Sequence, residues 1–210
     1  HDDPNSIIRL VPRVRNAPLS LLVAEYMILA NQLWGGLLAE HNVPGIYRSQ
    51  QFMRTRMSTT PGPHESIGVP QYIWSTSPLR RYVDLINQGQ ILAAAEHGIS
   101  ARLAAPFQPK DADLYAIIGA FESQYTQWSD YQSSLERFWC LRWLQQNDIK
   151  QVQANFIKED LVRLSNAPLV LHVPGLPALE RGQEVTLDLL SFDELALTVE
   201  ARLRSVATAD

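Results

Sequence analysis

A change of hydrophobic period near residue 150 constrains this chain more than any other feature. Before it, apolar residues recur every three or four positions over long stretches. After it, they alternate in short runs separated by turn residues. A helix-rich part is therefore followed by a strand-rich part. The expectation is an α+β fold in two pieces, residues 1–148 and 149–210. The length of 210 residues suits one large domain, or a medium domain with a small one.

In the first part, Ile7, Ile8, Leu10, Val11 and Val14 among Arg9, Arg13 and Arg15 read as a strand with a basic face. Pro18 opens a helix, where proline is tolerated, and Leu22, Tyr26, Ala30, Leu33 and Leu37 keep its period to about His41. Residues 43–75, with four prolines and three glycines, read as mostly loop. So long an irregular stretch is uncommon unless functional. Ser77 and Pro78 suit the N-cap and first residue of a second helix that Gly98 stops. Residues 111–147 form a long helical region, with a turn or break near 129–134. The tail, from Val152 to Leu203, reads as short strands, and a small barrel of the OB type is its simplest form.

With 46% hydrophobic and 19% charged residues, wholesale disorder is excluded. The net charge of −4 excludes a strongly basic coat for nucleic acid. The charges are unevenly placed, however. The first 81 residues hold eight arginines against five acids, so phosphate can be bound there locally. Cys140 is the lone cysteine, which excludes an internal disulfide and a cysteine-based metal site and points to a reducing, cytoplasmic setting. His41, His64, His97 and His172 show no metal-ligand spacing. With no run of about 18 apolar residues, no membrane span is expected, nor is there a secretory leader pattern. The start at His1-Asp2-Asp3-Pro4, without Met, is expected of a fragment or a processed product.

The sharpest motif is Thr76-Ser77-Pro78-Leu79-Arg80-Arg81-Tyr82-Val83-Asp84. Two arginines in the first turn of a helix, beside two hydroxyls and the helix's free N–H groups, would make a phosphate site. The competing reading pairs Arg81 with Asp84 and leaves Arg80 solvated. No nucleophile motif is present. Trp128, Trp139 and Trp143 lie at helical spacing and read as core.

This motif resembles the signature of the ribonuclease II and ribonuclease R (RNB) family of 3′→5′ exoribonucleases. Four further stretches are similar to the family's, in the same order: residues 22–31, with Glu25 and Asn31; Pro44-Gly45-Ile46-Tyr47-Arg48; residues 64–72; and Glu136-Arg137-Phe138-Trp139-Cys140-Leu141. Gln50, Ala24 and Gln88-Gly89 depart from the family pattern. The resemblance implies the helix-rich C-terminal half of an RNB catalytic domain, followed by the OB-like barrel.

It further implies removal of nucleoside 5′-monophosphates from the 3′ end of single-stranded RNA, with Mg²⁺ as cofactor. The family's metal-binding Asp cluster has no counterpart here, since Asp2-Asp3 is too short a match. The ligands and the rest of the catalytic domain are expected in a missing N-terminal half, and these 210 residues alone are expected to be inactive. No membrane partner is implied. By motif position Arg80 is the catalytic arginine. Arg81 would bind the RNA backbone or support the helix. Glu25, Arg48, Thr76, Ser77, Tyr82 and Glu136 fall at substrate-binding positions. Tyr47 could stack on RNA or pack in the core. A noncatalytic relative that binds RNA or a protein is the alternative.

Overall fold

The computed structural model describes residues 7–12 and 17–207. Asp2, Asp3, Arg13, Val14 and Arg15 lie outside the described residues. Residues 7–12 form no strand. The Gln146 side chain accepts from the Ile8 N–H (2.9 Å) and donates to its carbonyl (3.2 Å), which takes up the backbone groups a strand partner would use.

Helix α1 runs Pro18–Glu40. A hairpin follows, β1 (Tyr47–Gln51) and β2 (Arg54–Ser58), within the stretch expected to be loop. Its two-residue turn is Phe52-Met53, without the Gly, Asn or Asp that would announce it. Helix α2 covers Tyr82–His97 and ends at Gly98, whose φ of +49° suits glycine. It starts later than the Ser77-Pro78 pair suggested. A short α3 (Ala101–Ala104) leads to α4, Ala112–Gln146, which is unbroken through residues 129–134.

Two buried clusters organise residues 17–127. Leu38, Tyr47, Ile73, Ala93 and Ala94 join α1 to α2 and β1. Ile46, Trp74, Val83, Leu114 and Ile118 pack together beside the hairpin. Gly45 must stay small, because a Cβ there would lie 2.7 Å from the buried Leu38 side chain.

The tail is a five-stranded antiparallel sheet of β3 (Gln151–Lys158), β4 (Leu161–Leu164), β5 (Val170–His172), β6 (Glu184–Asp193) and β7 (Thr198–Val206), ordered β5-β4-β3-β6-β7. Register shifts within β3–β4 and β6–β7 curl it into an OB-like half-barrel. Ala154, Val162, Leu171, Val185 and Leu187 fill its interior. Cys140, Leu141 and Leu144 from α4 join that core, and Arg137 donates to the carbonyls of Leu197 and Val170. One compact unit takes in residues 7–12 together with the chain from Trp128, inside α4, onward.

By length and composition alone, α1 is long and apolar enough to cross a membrane. It is 23 residues long, with an 18-residue window of mean hydropathy 1.3, because leucine, alanine and glycine outweigh the single acid Glu25 in its middle. Its inward side holds Asn31, Gly35 and Leu38, while Leu19, Leu22, Val23, Tyr26, Leu29 and Leu33 are exposed.

Candidate functional site

The signature segment forms a turn that precedes α2 instead of opening it. The Ser77 carbonyl accepts from the N–H groups of Arg80 (3.2 Å) and Arg81 (3.1 Å). Arg81 is the N-cap residue with extended backbone, φ −133°. The arginines thus stand before the first helical turn, not in it. Asp84 causes this. Its Oδ1 accepts from the Ser77 N–H (2.8 Å) and from Arg81 Nη2 (2.7 Å), and its Oδ2 accepts from Arg81 Nε (2.8 Å). Both partners of this bidentate pair are buried, and such planar pairing favours arginine over lysine.

Arg80 is different. Its guanidinium is exposed, and among the described residues it makes no ion pair or side-chain hydrogen bond. Leu79 and Tyr82 beside it are exposed as well. The turn therefore consumes one arginine and presents the other.

Buried carboxamides fix the strand-like segment that leads into the turn. Asn31 of α1 accepts from the Ser75 N–H (3.0 Å) and hydroxyl (2.6 Å), and donates to the Tyr72 hydroxyl (3.3 Å). Asn87 of α2 donates to the carbonyls of Trp74 (2.8 Å) and Ile46 (3.0 Å), and accepts from the Ile46 N–H (2.7 Å). Gln88 donates to the Ser75 carbonyl (2.7 Å), and Gln90 holds Pro44 and Phe107. Each replaces a backbone partner that an irregular segment lacks.

Trp74 is a hub that the sequence reading did not select. The guanidiniums of Arg81 and Arg48 lie 4.1 and 4.3 Å from its ring centroid. The Phe121 edge and the Tyr125 ring also meet it. Both contacts with arginine are cation–π interactions in a partly dry setting. Burial makes the Arg48 guanidinium easier to deprotonate than usual, and the nearby Arg81 charge acts the same way. A tryptophan two residues before Thr76, in the same stretch as the signature, was the available signal.

The other expected residues fall as follows. Tyr47 is a core residue and does not reach solvent. Its hydroxyl donates to the Gly35 carbonyl (2.9 Å), and burial pushes its pKa up to about 12. Thr76 Oγ1 is enclosed with no hydrogen-bond partner, and Ser77 is half-buried. Glu25 is exposed on α1. Glu136 is exposed on the part of α4 that belongs to the other compact unit. His64 is buried with Nδ1 unpartnered, and burial, then the Arg48 charge, lowers its pKa. Among the described residues no three His, Cys, Asp or Glu side chains gather as a metal site. Asp84 is committed to Arg81. The residues described here therefore do not fit a divalent cation.

The RNB domain family matches residues 50–97. The chain is 26% identical to an uncharacterized ribonuclease of Synechocystis sp. over 66% of its own length and 24% of the relative's. It is 24% identical to the chloroplastic/mitochondrial ribonuclease II of Arabidopsis thaliana, over 70% of the chain and 21% of the relative. In fold it is similar to the Dss1 exoribonuclease of Candida glabrata (TM-score 0.71, 21% identity, 89% of this chain and 29% of that one). It is also similar to Mycoplasma genitalium RNase R in complex with double-stranded RNA (TM-score 0.68, 14% identity, 91% and 43%). The chain spans about a quarter or less of the length of these curated relatives. In its signature segment the chain is similar to the RNB domain family, and in its α+β architecture with the OB-like half-barrel it is similar to part of solved exoribonucleases.

Proposed function

We propose that this chain is the C-terminal part of a hydrolytic 3′→5′ exoribonuclease that degrades single-stranded RNA to nucleoside 5′-monophosphates. The observation that carries the reading is the division of labour in the signature turn. Asp84 neutralises Arg81 and locks the backbone, so Arg80 is held on a rigid turn with its guanidinium uncommitted. In this reading Arg80 binds the non-bridging oxygens of the scissile phosphate. It stabilises the extra negative charge as water attacks phosphorus and the P–O3′ bond breaks. Arg48 and Arg81 stiffen the site through Trp74. Glu25, Tyr82 and Glu136 are exposed at family positions and are available to RNA, as are the hydroxyl of Ser77 and, after a small opening, that of Thr76.

The cofactor in this reading is Mg²⁺, which would activate water and hold the leaving oxygen. The described residues lack a donor set for it, so its ligands are assigned to an upstream half of the protein. The same half is proposed to cover the exposed apolar side of α1. The half-barrel around residues 149–210 is proposed as an RNA-binding module, and the location as cytoplasmic.

The test replaces Arg80 with Ala in the complete protein and follows release of mononucleotides from labelled single-stranded RNA with Mg²⁺. A rate loss of about a hundredfold or more is expected. Activity near wild type, with folding unchanged, would overturn the assignment and favour a noncatalytic RNB relative that binds RNA or a protein.

A further inference from the structure

We propose that the tip of the β1–β2 hairpin, Phe52 and Met53 with Arg54 and Arg56 beside them, is a contact for single-stranded RNA separate from the signature turn. The inference rests on the RNA reading above and adds a second site to it.

The turn itself is the first observation. Gln51 pairs with Arg54, so Phe52-Met53 is a two-residue connection, and both residues have positive φ, +48° and +64°. That geometry favours Asn, Asp or Gly. Large side chains in the left-handed region are strained, and strain of this kind collects at functional positions. Neither side chain earns its place by packing, because Phe52 is 88% and Met53 84% exposed. The tip is nonetheless held in place. Glu65 Oε2 accepts from the Phe52 N–H (2.9 Å), and Glu122 Oε1 accepts from the Met57 N–H (3.1 Å) at the far end of β2.

Charge is the second observation. Residues 47–58 hold three arginines and no acid in a chain whose net charge is −4. Arg54 and Arg56 are exposed, lie on one face of β2 two residues apart, and among the described residues make no ion pair. The cationic, aromatic character continues into a cleft of about 350 Å³ beside the hairpin, lined by Arg48, Arg56, Trp74, Tyr125 and Glu122 among others.

An exposed aromatic ring next to unpaired guanidiniums fits unpaired bases and their phosphates. The ring stacks on any base face and the arginines bind the backbone. A duplex would hide the base faces that Phe52 needs, so the ligand chemistry is single-stranded.

The experiment measures anisotropy of a fluorescent oligoadenylate with the 210-residue chain, alongside thermal unfolding. The double variant F52N/M53G installs the residues the turn prefers. It should raise Tm while weakening RNA binding about tenfold or more through loss of base stacking. F52W should keep the affinity. R54A/R56A should reduce the slope of log K against log salt by about 1.4. If F52N/M53G raises Tm and leaves RNA affinity unchanged, the proposal is wrong and the tip is free for a protein contact. If the unaltered chain binds no RNA at all, the hairpin proposal is wrong, whereas the exoribonuclease reading stands or falls by Arg80→Ala in the complete protein, so the two failures are told apart.

Discussion

Arg81 gives the edge of its guanidinium to Asp84 inside the protein, whereas the guanidinium of its neighbour Arg80 gives nothing to any described residue. The two arginines therefore predict opposite behaviour. Asp84→Asn leaves a buried cation uncompensated and should destabilise the chain by about 3 kcal/mol, seen as a lowered denaturant midpoint. Arg80→Ala removes an exposed side chain and should change stability by less than about 0.5 kcal/mol. His64 supplies a pH effect. Its folded pKa is lowered by burial and by Arg48, so the unfolded chain binds more protons as pH falls. Stability should decline as pH drops below the ordinary histidine value of about 6.5, and the decline should level off once pH passes below the folded pKa. Replacing His64 with Gln should flatten the profile; an unchanged slope would assign it to other groups. At this scale the sequence singled out one segment, Thr76–Asp84. The pairing of Arg81 with Asp84 stood there as one of two readings. The choice between them needed the burial of Asp84, which spacing does not reveal.

Helix α2 shows how an element can carry polar residues inward. Asp84, Asn87 and Gln90 recur every three residues and are all fully buried. On an ordinary amphipathic helix this stripe would face water. Here it faces irregular backbone whose carbonyls and N–H groups need partners. Asn87→Ala strands three such groups and should cost about 3 kcal/mol, measurable by denaturant unfolding. The hairpin was illegible because its turn breaks the composition rule for turns. The late start of α2 was illegible because Ser77-Pro78 is a good helix opening that Asp84 overrides by capturing the Ser77 N–H. Helix α1 was legible in span, from Pro18 and its period, but its unpartnered side was not. Changing Leu22 and Leu29 to Lys should raise the solubility of the isolated chain and lower its binding of a hydrophobic dye, since both residues are exposed.

At the scale of the whole molecule, the isolated 210 residues should be inactive on RNA, since the described residues hold no donor set for the proposed cofactor. Robust nuclease activity from the purified chain would sink that expectation. Cys140 gives a probe of the unit it belongs to. It is buried among Leu141, Leu144 and the strand residues, and burial raises its thiol pKa, so it should resist thiol reagents until that unit opens. The sequence by itself determined the change from helix to strand near residue 150, the resemblance carried by the signature segment and the position of the signature arginines. Those are properties of local period and of residue order. Only the tertiary structure decided which arginine is free, that Tyr47 is core, that α4 belongs partly to the strand-rich unit, and that Phe52 and Met53 stand in solvent. Each of those depends on which distant backbone group or apolar surface a side chain meets, and chain order alone does not fix that meeting.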